Sequence, residues 1–221
     1  MRRLLVLRPE PGASTTVERA RELGLDALAA PLFQIEPLSW EMPDRADFDA
    51  LLLTSANAVR MVGEKSDSLR ALPAYAVGEA TAEAARDAGL DVAGVGACGV
   101  DHLLSSIPAG QRLLHLCGED RREPAAHGQR ITPVPVYRAK AVERPNLSGA
   151  TGAVALVHSP RAGRRFAELV DDRASTIIAA ISAAAAEAVG RGWEMVEAAP
   201  RPNDEALLAL AARLCNTSAP K

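Results

Sequence analysis

A three-part pattern recurs in this chain at a constant offset of 104 residues, and it limits the fold more than any other feature. Ser55 in Leu53-Thr54-Ser55-Ala56-Asn57-Ala58 is matched by Ser159 in Val157-His158-Ser159-Pro160-Arg161-Ala162. Val77-Gly78-Glu79-Ala80-Thr81 is matched by Ile181-Ser182-Ala183-Ala184-Ala185, and Asp101-His102-Leu103-Leu104 by Glu205-Ala206-Leu207-Leu208. Two similar α/β units in 221 residues predict two lobes, and two facing lobes predict a cleft.

Between these motifs, short apolar runs alternate with longer helical patterns, the order of parallel sheets covered by helices. The runs are Leu4–Leu7, Asp49–Leu53, Ala74–Val77, Val92–Val95, Leu113–Cys117, Val154–Val157, Ile177–Ile181 and Met195–Ala198. Ser14 is placed to cap a helix through Val17, Ala20 and Leu23 that stops at Gly24. Phe33–Leu38 and Val134–Arg138 read as extended stretches that cross between lobes. The division that follows is a discontinuous α/β domain of residues 1–35 and 140–221, with residues 38–137 inserted as a second α/β domain. Each domain then owns one copy of the pattern.

Composition narrows the function classes. A net charge of −3 argues against general nucleic-acid binding, which calls for a basic surplus. Cys98, Cys117 and Cys215 are widely spaced, which suits reduced cytosolic thiols and neither a disulfide frame nor a zinc site. The apolar run after Met1-Arg2-Arg3 is too short for a signal peptide, and Ser182 and Glu187 interrupt the Ala-rich run near residue 185. A soluble cytoplasmic protein with no membrane partner is expected, its tail from Asn216 to Lys221 disordered.

Several residues carry chemistry. Ser55 and Ser159 end strands and can cap the helices that follow, with Pro160 suited to a first helical position. A helix start exposes N–H groups and partial positive charge, a natural seat for a carboxylate or phosphate. Gly78 would let a ligand approach the backbone, and the Thr81 hydroxyl lies in the first turn; the second copy has Ser182 and Ala185 there. Gly94-Val95-Gly96-Ala97-Cys98-Gly99 with Asp120 matches a dinucleotide fingerprint. The short strand before it and the short helical stretch Val100–Ile107 after it favour a plain turn. His115 and Cys117 share a strand face without further ligands, which reads as core. Gly118–Glu123 reads as a solvated loop from which Arg121 could reach an anion, and Arg121-Arg122 and Arg164-Arg165 as surface charge.

Taken in order, Thr54–Val59, Val77–Ala82, Val134–Arg138, His158–Ala162 and Ala199–Leu208 resemble the uroporphyrinogen-III synthase family over nearly the whole chain. The resemblance implies two flavodoxin-like α/β lobes, each a parallel sheet flanked by helices, joined by a two-stranded linker. It implies a cyclising hydro-lyase that closes linear hydroxymethylbilane into uroporphyrinogen III, inverting ring D and releasing water, with no metal or organic cofactor. A cytoplasmic monomer in transient contact with the bilane-forming enzyme is expected. Tyr137, at the end of the linker strand, matches the family's catalytic tyrosine; as a phenol it can donate a hydrogen bond to a departing hydroxyl, and otherwise it packs the junction. Arg8, Ser55, Gly78, Thr81, Ser159, Arg161 and Ser182 are the expected contacts to substrate carboxylates. The family commonly has Gly-x-Thr-Thr where this chain reads Ser182-Ala183-Ala184-Ala185, so main-chain contacts are expected on that wall. A nucleotide-dependent enzyme using Gly94–Gly99 and a non-catalytic two-lobe binding module are the competing readings.

Overall fold

The computed structural model describes residues 1–63, 66–96, 99–121, 123–125 and 127–216. The Cys98 thiol, the Arg122 charge and the tail at 217–221, about which the sequence raised expectations, lie outside the described residues. The chain divides into two compact units, Met1–Gln34 with Lys140–Lys221, and Ile35–Ala139.

The elements begin with β1 (Leu4–Val6), α1 (Gly12–Glu22), β2 (Ala27–Ala29), β3 (Phe33–Pro37), β4 (Ala50–Leu53), α2 (Ala56–Val62) and α3 (Ser66–Leu69). They continue with β5 (Ala74–Val77), α4 (Glu79–Asp87), β6 (Val92–Gly96), α5 (Val100–Ser106), β7 (Arg112–Gly118) and β8 (Arg130–Ala141). The chain then forms β9 (Val154–Val157), α6 (Pro160–Leu169), β10 (Ile177–Ala180), α7 (Ala183–Ala188), β11 (Met195–Ala198) and α8 (Asp204–Cys215).

The first unit holds the sheet β11-β10-β9-β1-β2, parallel throughout. The other sheet runs β3-β8-β7-β4-β5-β6 and is parallel from β8 to β6. At its edge β3 runs antiparallel to β8: Leu38 N–H donates to Val136 O, while Val142 N–H donates to Leu32 O. The expected two-stranded linker is therefore the edge of a sheet, and this sheet is mixed.

The repeat has a direct structural meaning. The series β4-α2, β5-α4, β6-α5 is matched by β9-α6, β10-α7, β11-α8. In one sheet β7 and β8 stand beside β4; in the other β1 and β2 stand beside β9. The flanking pair thus follows the repeat in one unit and precedes it in the other, a circular permutation.

The central strands β1, β4, β9 and β10 are apolar on every residue because helices cover both faces. Leu51 and Leu53 pack under α2 and α4, whereas Ala50 and Leu52 pack under α5. Leu4, Val6, Val154 and Leu156 pack under α1 and α8. On the other side of that sheet Phe166 of α6 is fully buried and stacked on Trp193 at 5.3 Å.

Two local expectations need correction. Ser14 lies inside α1, which starts at Gly12; the Glu10 carboxylate accepts from the Ser14 N–H at 3.0 Å and does the capping work. The second extended stretch is not five residues but the strand β8, Arg130–Ala141. Its prolines do not break it, because Arg130 N–H donates toward β7 and alternation turns the Pro133 and Pro135 nitrogens the other way, past the end of β3.

Candidate functional site

In a parallel α/β sheet, ligands bind beyond the carboxyl ends of the strands, where the strand order reverses. That reversal falls between β4 and β7 in one sheet and between β9 and β1 in the other. Ser55 follows β4, and Gly118 ends β7. Arg8 follows β1, and Ser159 follows β9. Gly78 and Ser182 follow the adjacent strands β5 and β10. The eight expected site residues therefore separate into two sets, each at the carboxyl edge of its own sheet.

The hydroxyls are partly committed. Ser55 Oγ accepts from Asn57 N–H at 3.2 Å, Ser159 Oγ from Ala162 N–H at 3.1 Å, and Ser182 Oγ from Ala185 N–H at 3.3 Å. All three are helix caps, and on the wall where main-chain contacts were expected the Ala185 N–H is occupied by Ser182. Gly78 is different. It opens α4 with φ +80, and nothing lies within 4 Å of where a Cβ would stand, so the backbone there is open to approach. Thr81 is buried in the first turn of α4. Arg161 lies over the Phe33 ring at 4.4 Å, a cation–π contact.

Tyr137 sits at an irregularity that no sequence pattern announces. The β7–β8 register pairs Cys117 with Pro135 and then Gly118 with Tyr137, leaving Val136 as the extra residue of a bulge. Val136 is fully buried, and the half-buried Tyr137 packs against the same cluster. The phenol ring lies where a side chain on Gly118 would be, its Cζ 2.9 Å from that Cβ position. Gly118 is thus the residue that leaves room for the hydroxyl end of the ring beside the end of β7.

Sequence reading missed His158 and Asp204. Continuing the β1–β9 register from Val6↔Leu156 places His158 beside Arg8 on the face covered by α8. Asp204 opens α8; its Oδ2 accepts from Arg8 Nη1 at 2.6 Å, and its Oδ1 lies 3.6 Å from His158 Nε2. Burial, reinforced by the neighbouring Arg8 charge, lowers the His158 pKa against the opposing pulls of Asp204 and the Leu156 backbone. The signal available in sequence was the shared parity of Arg8 and His158 on adjacent strands.

His115 is core, as read, but polar core: its Nε2 meets Thr54 Oγ1 at 2.9 Å. Burial, with Arg121 adding, lowers its pKa from 6.5 to about 4. The folded chain therefore favours the neutral ring. That stabilisation is complete above pH 6.5 and is lost as pH falls toward about 4, by about 3 kcal/mol. Urea unfolding across this range should show the loss, and His115→Asn should reduce it, leaving the part that the buried His158 contributes; an equal slope in the variant would remove His115 from the account.

The glycines of the dinucleotide-like run have packing duties. A side chain on Gly94 would meet the Tyr75 ring at 3.0 Å, and one on Gly96 would meet Leu103 Cβ at 2.7 Å. Ala97 and Cys98 lie outside the described residues. Among the described residues no cluster of three or more His, Cys, Asp or Glu side chains could hold a metal ion.

The family profile described as uroporphyrinogen-III synthase HemD matches residues 14–209. The chain belongs to the uroporphyrinogen-III synthase family. The crystal structure of uroporphyrinogen-III synthetase from Helicobacter pylori is similar over 97% of this chain and all of that one, with a TM-score of 0.68 and 21% identity. A mutant uroporphyrinogen III synthase from Thermus thermophilus is similar over 97% of this chain and 99% of its own, with a TM-score of 0.53 and 19% identity. At such identities the two likenesses speak for the fold. A protein of Archaeoglobus fulgidus, provisionally named a uroporphyrinogen-III synthase, is 33% identical over 81 residues. That match spans 37% of this chain and about a third, 34%, of the relative's length. Within the family frame, the turn Ala199–Leu208 that supported the resemblance is the one that delivers Asp204 to Arg8.

Proposed function

We propose that this chain is a uroporphyrinogen-III synthase of tetrapyrrole biosynthesis, closing linear hydroxymethylbilane into uroporphyrinogen III with inversion of ring D and loss of water. Membership of the family across residues 14–209 is the observation that carries this reading. The geometry is in keeping with it: helix starts and arginines at the carboxyl edges suit a carboxylate-rich, linear substrate.

In this reading Tyr137 donates its proton toward the departing hydroxyl, which leaves as water. The electrophilic azafulvene that remains is attacked by the fourth ring at its already substituted carbon. The resulting spiro intermediate rearranges with that ring inverted, and loss of a ring proton restores the aromatic pyrrole. Much of the rate comes from holding the chain so that the substituted carbon is the one in reach. Arg8, Arg161 and the helix starts at Ser55, Gly78 (with Thr81 in its first turn), Ser159 and Ser182 would hold the carboxylates. No cofactor is called for by these steps. The same reading makes the protein a cytoplasmic monomer that meets the bilane-forming enzyme transiently. No helix among the described residues is long and apolar enough to cross a membrane.

Freshly made hydroxymethylbilane, incubated with the purified protein and resolved into product isomers, tests the proposal. Type III product in excess is expected. Type I alone, the product of spontaneous closure, would reject it.

A further inference from the structure

We propose that Asp204 is an internal substitute for a ligand carboxylate: it occupies Arg8 in the free protein and yields it to an arriving carboxylate, turning toward His158. The inference rests on the carboxylate-rich substrate proposed above and adds residues to which that reading gives no role.

Three observations support it. First, the Arg8–Asp204 pair is only partly covered, with side-chain exposures of 31% and 28%, so a ligand can reach it. Second, the His158 side chain is nine-tenths buried, and neither ring nitrogen has a partner at full hydrogen-bond geometry, the Leu156 backbone offering only a weaker contact that favours the charged ring. A buried imidazole left unsatisfied costs free energy, and a carboxylate oxygen 3.6 Å away is its nearest remedy. Third, Asp204 is the first residue of a helix of 12 residues with Asn203 as its cap, so the backbone partial charge supports a carboxylate in either orientation.

The charges acting on His158 are Arg8 from the end of β1 and Asp204 from α8. Thr16 of α1 reaches Arg8 at 3.4 Å, and the flanking Ile181 and Ala199 are apolar. Burial is the main reason the imidazole is neutral and Arg8 adds to it; when a ligand carboxylate neutralises Arg8 that added repulsion falls, while Asp204 draws nearer. The ring then takes one proton from solvent, forming the N–H that donates to Asp204. Ligand binding and proton uptake are thereby linked, and affinity rises as pH falls below neutrality.

The test uses the full chain and benzene-1,3,5-tricarboxylate as the probe, with calorimetry in buffers of different ionisation heat and NMR of the His158 ring. Wild-type protein is expected to bind the probe with proton uptake and to move the His158 resonances. Asp204→Asn should bind at least about fivefold tighter without uptake, because Arg8 is released; Arg8→Met should abolish binding. Equal or weaker binding by Asp204→Asn, or no binding by either protein, overturns the proposal. If Asp204→Asn unfolds, Asp204→Ser carries the same expectation. The assay needs no turnover, so its outcome is separable from whether type III product is made.

Discussion

Tyr137→Phe is expected to lower the rate of type III formation by about 100-fold, with circular dichroism and melting temperature close to wild type. The substitution removes one hydroxyl and leaves the ring, which supplies the packing against the Val136 cluster. Substrate affinity should change little, because the phenol acts on the departing hydroxyl and not on the carboxylates. Gly118 supplies the companion variant: a methyl there would stand 2.9 Å from the ring carbon Cζ, so Gly118→Ala should turn the ring and cost activity without removing the hydroxyl. Single-turnover assays with separated isomers read both effects. An unchanged rate for Tyr137→Phe would return the residue to packing alone.

Phe166→Ala is expected to destabilise the protein by about 4 kcal/mol, a large share of what holds a typical domain together. Phe166 has no solvent exposure, and its ring stacks on Trp193 at an interplanar angle of 7°. The Trp193 Nε1–H donates to Val189 O at 3.0 Å, tying the stack to the end of α7. Removing the ring leaves a cavity under α6 and frees the helix that carries Ser159 and Arg161. Urea unfolding followed by circular dichroism checks the magnitude, and Phe166→Leu should recover most of it. A loss below about 1 kcal/mol would mean that the neighbouring chain collapses into the space.

How much of this could be read from residues alone depends on the range of the interaction. Strands such as Leu51–Leu53 and Val154–Val157 announce themselves because a sheet covered on both faces needs uninterrupted apolar runs. The caps Ser55 and Ser159 are equally legible, since each acts on an N–H two or three residues away; Ser182 caps in the same way but reads in the sequence only as a substrate contact. The bulge at Val136 is not, because it is a mismatch between two strands and exists only in their pairing. Asp204 meeting Arg8 is of the same kind: the contact joins the first strand's end to the last helix's start. The full length of β8 was not legible either, because whether Pro133 and Pro135 are tolerated depends on which side of the strand lacks a partner.

The place of β1 in its sheet bears on how the chain can fold as it is made. Leu4, Leu5 and Val6 are wholly buried between β2 and β9, yet β9 begins at Val154. As the chain emerges from the ribosome, β1, α1 and β2 leave first and lack their partner until the contiguous segment Ile35–Ala139 has been synthesised. That segment can fold first, whereas β1, made before it, has β2 at hand but waits for β9 on its other side. Synthesis order and completion order are therefore reversed for β1, and the apolar Leu4–Val6 run needs protection in the interval.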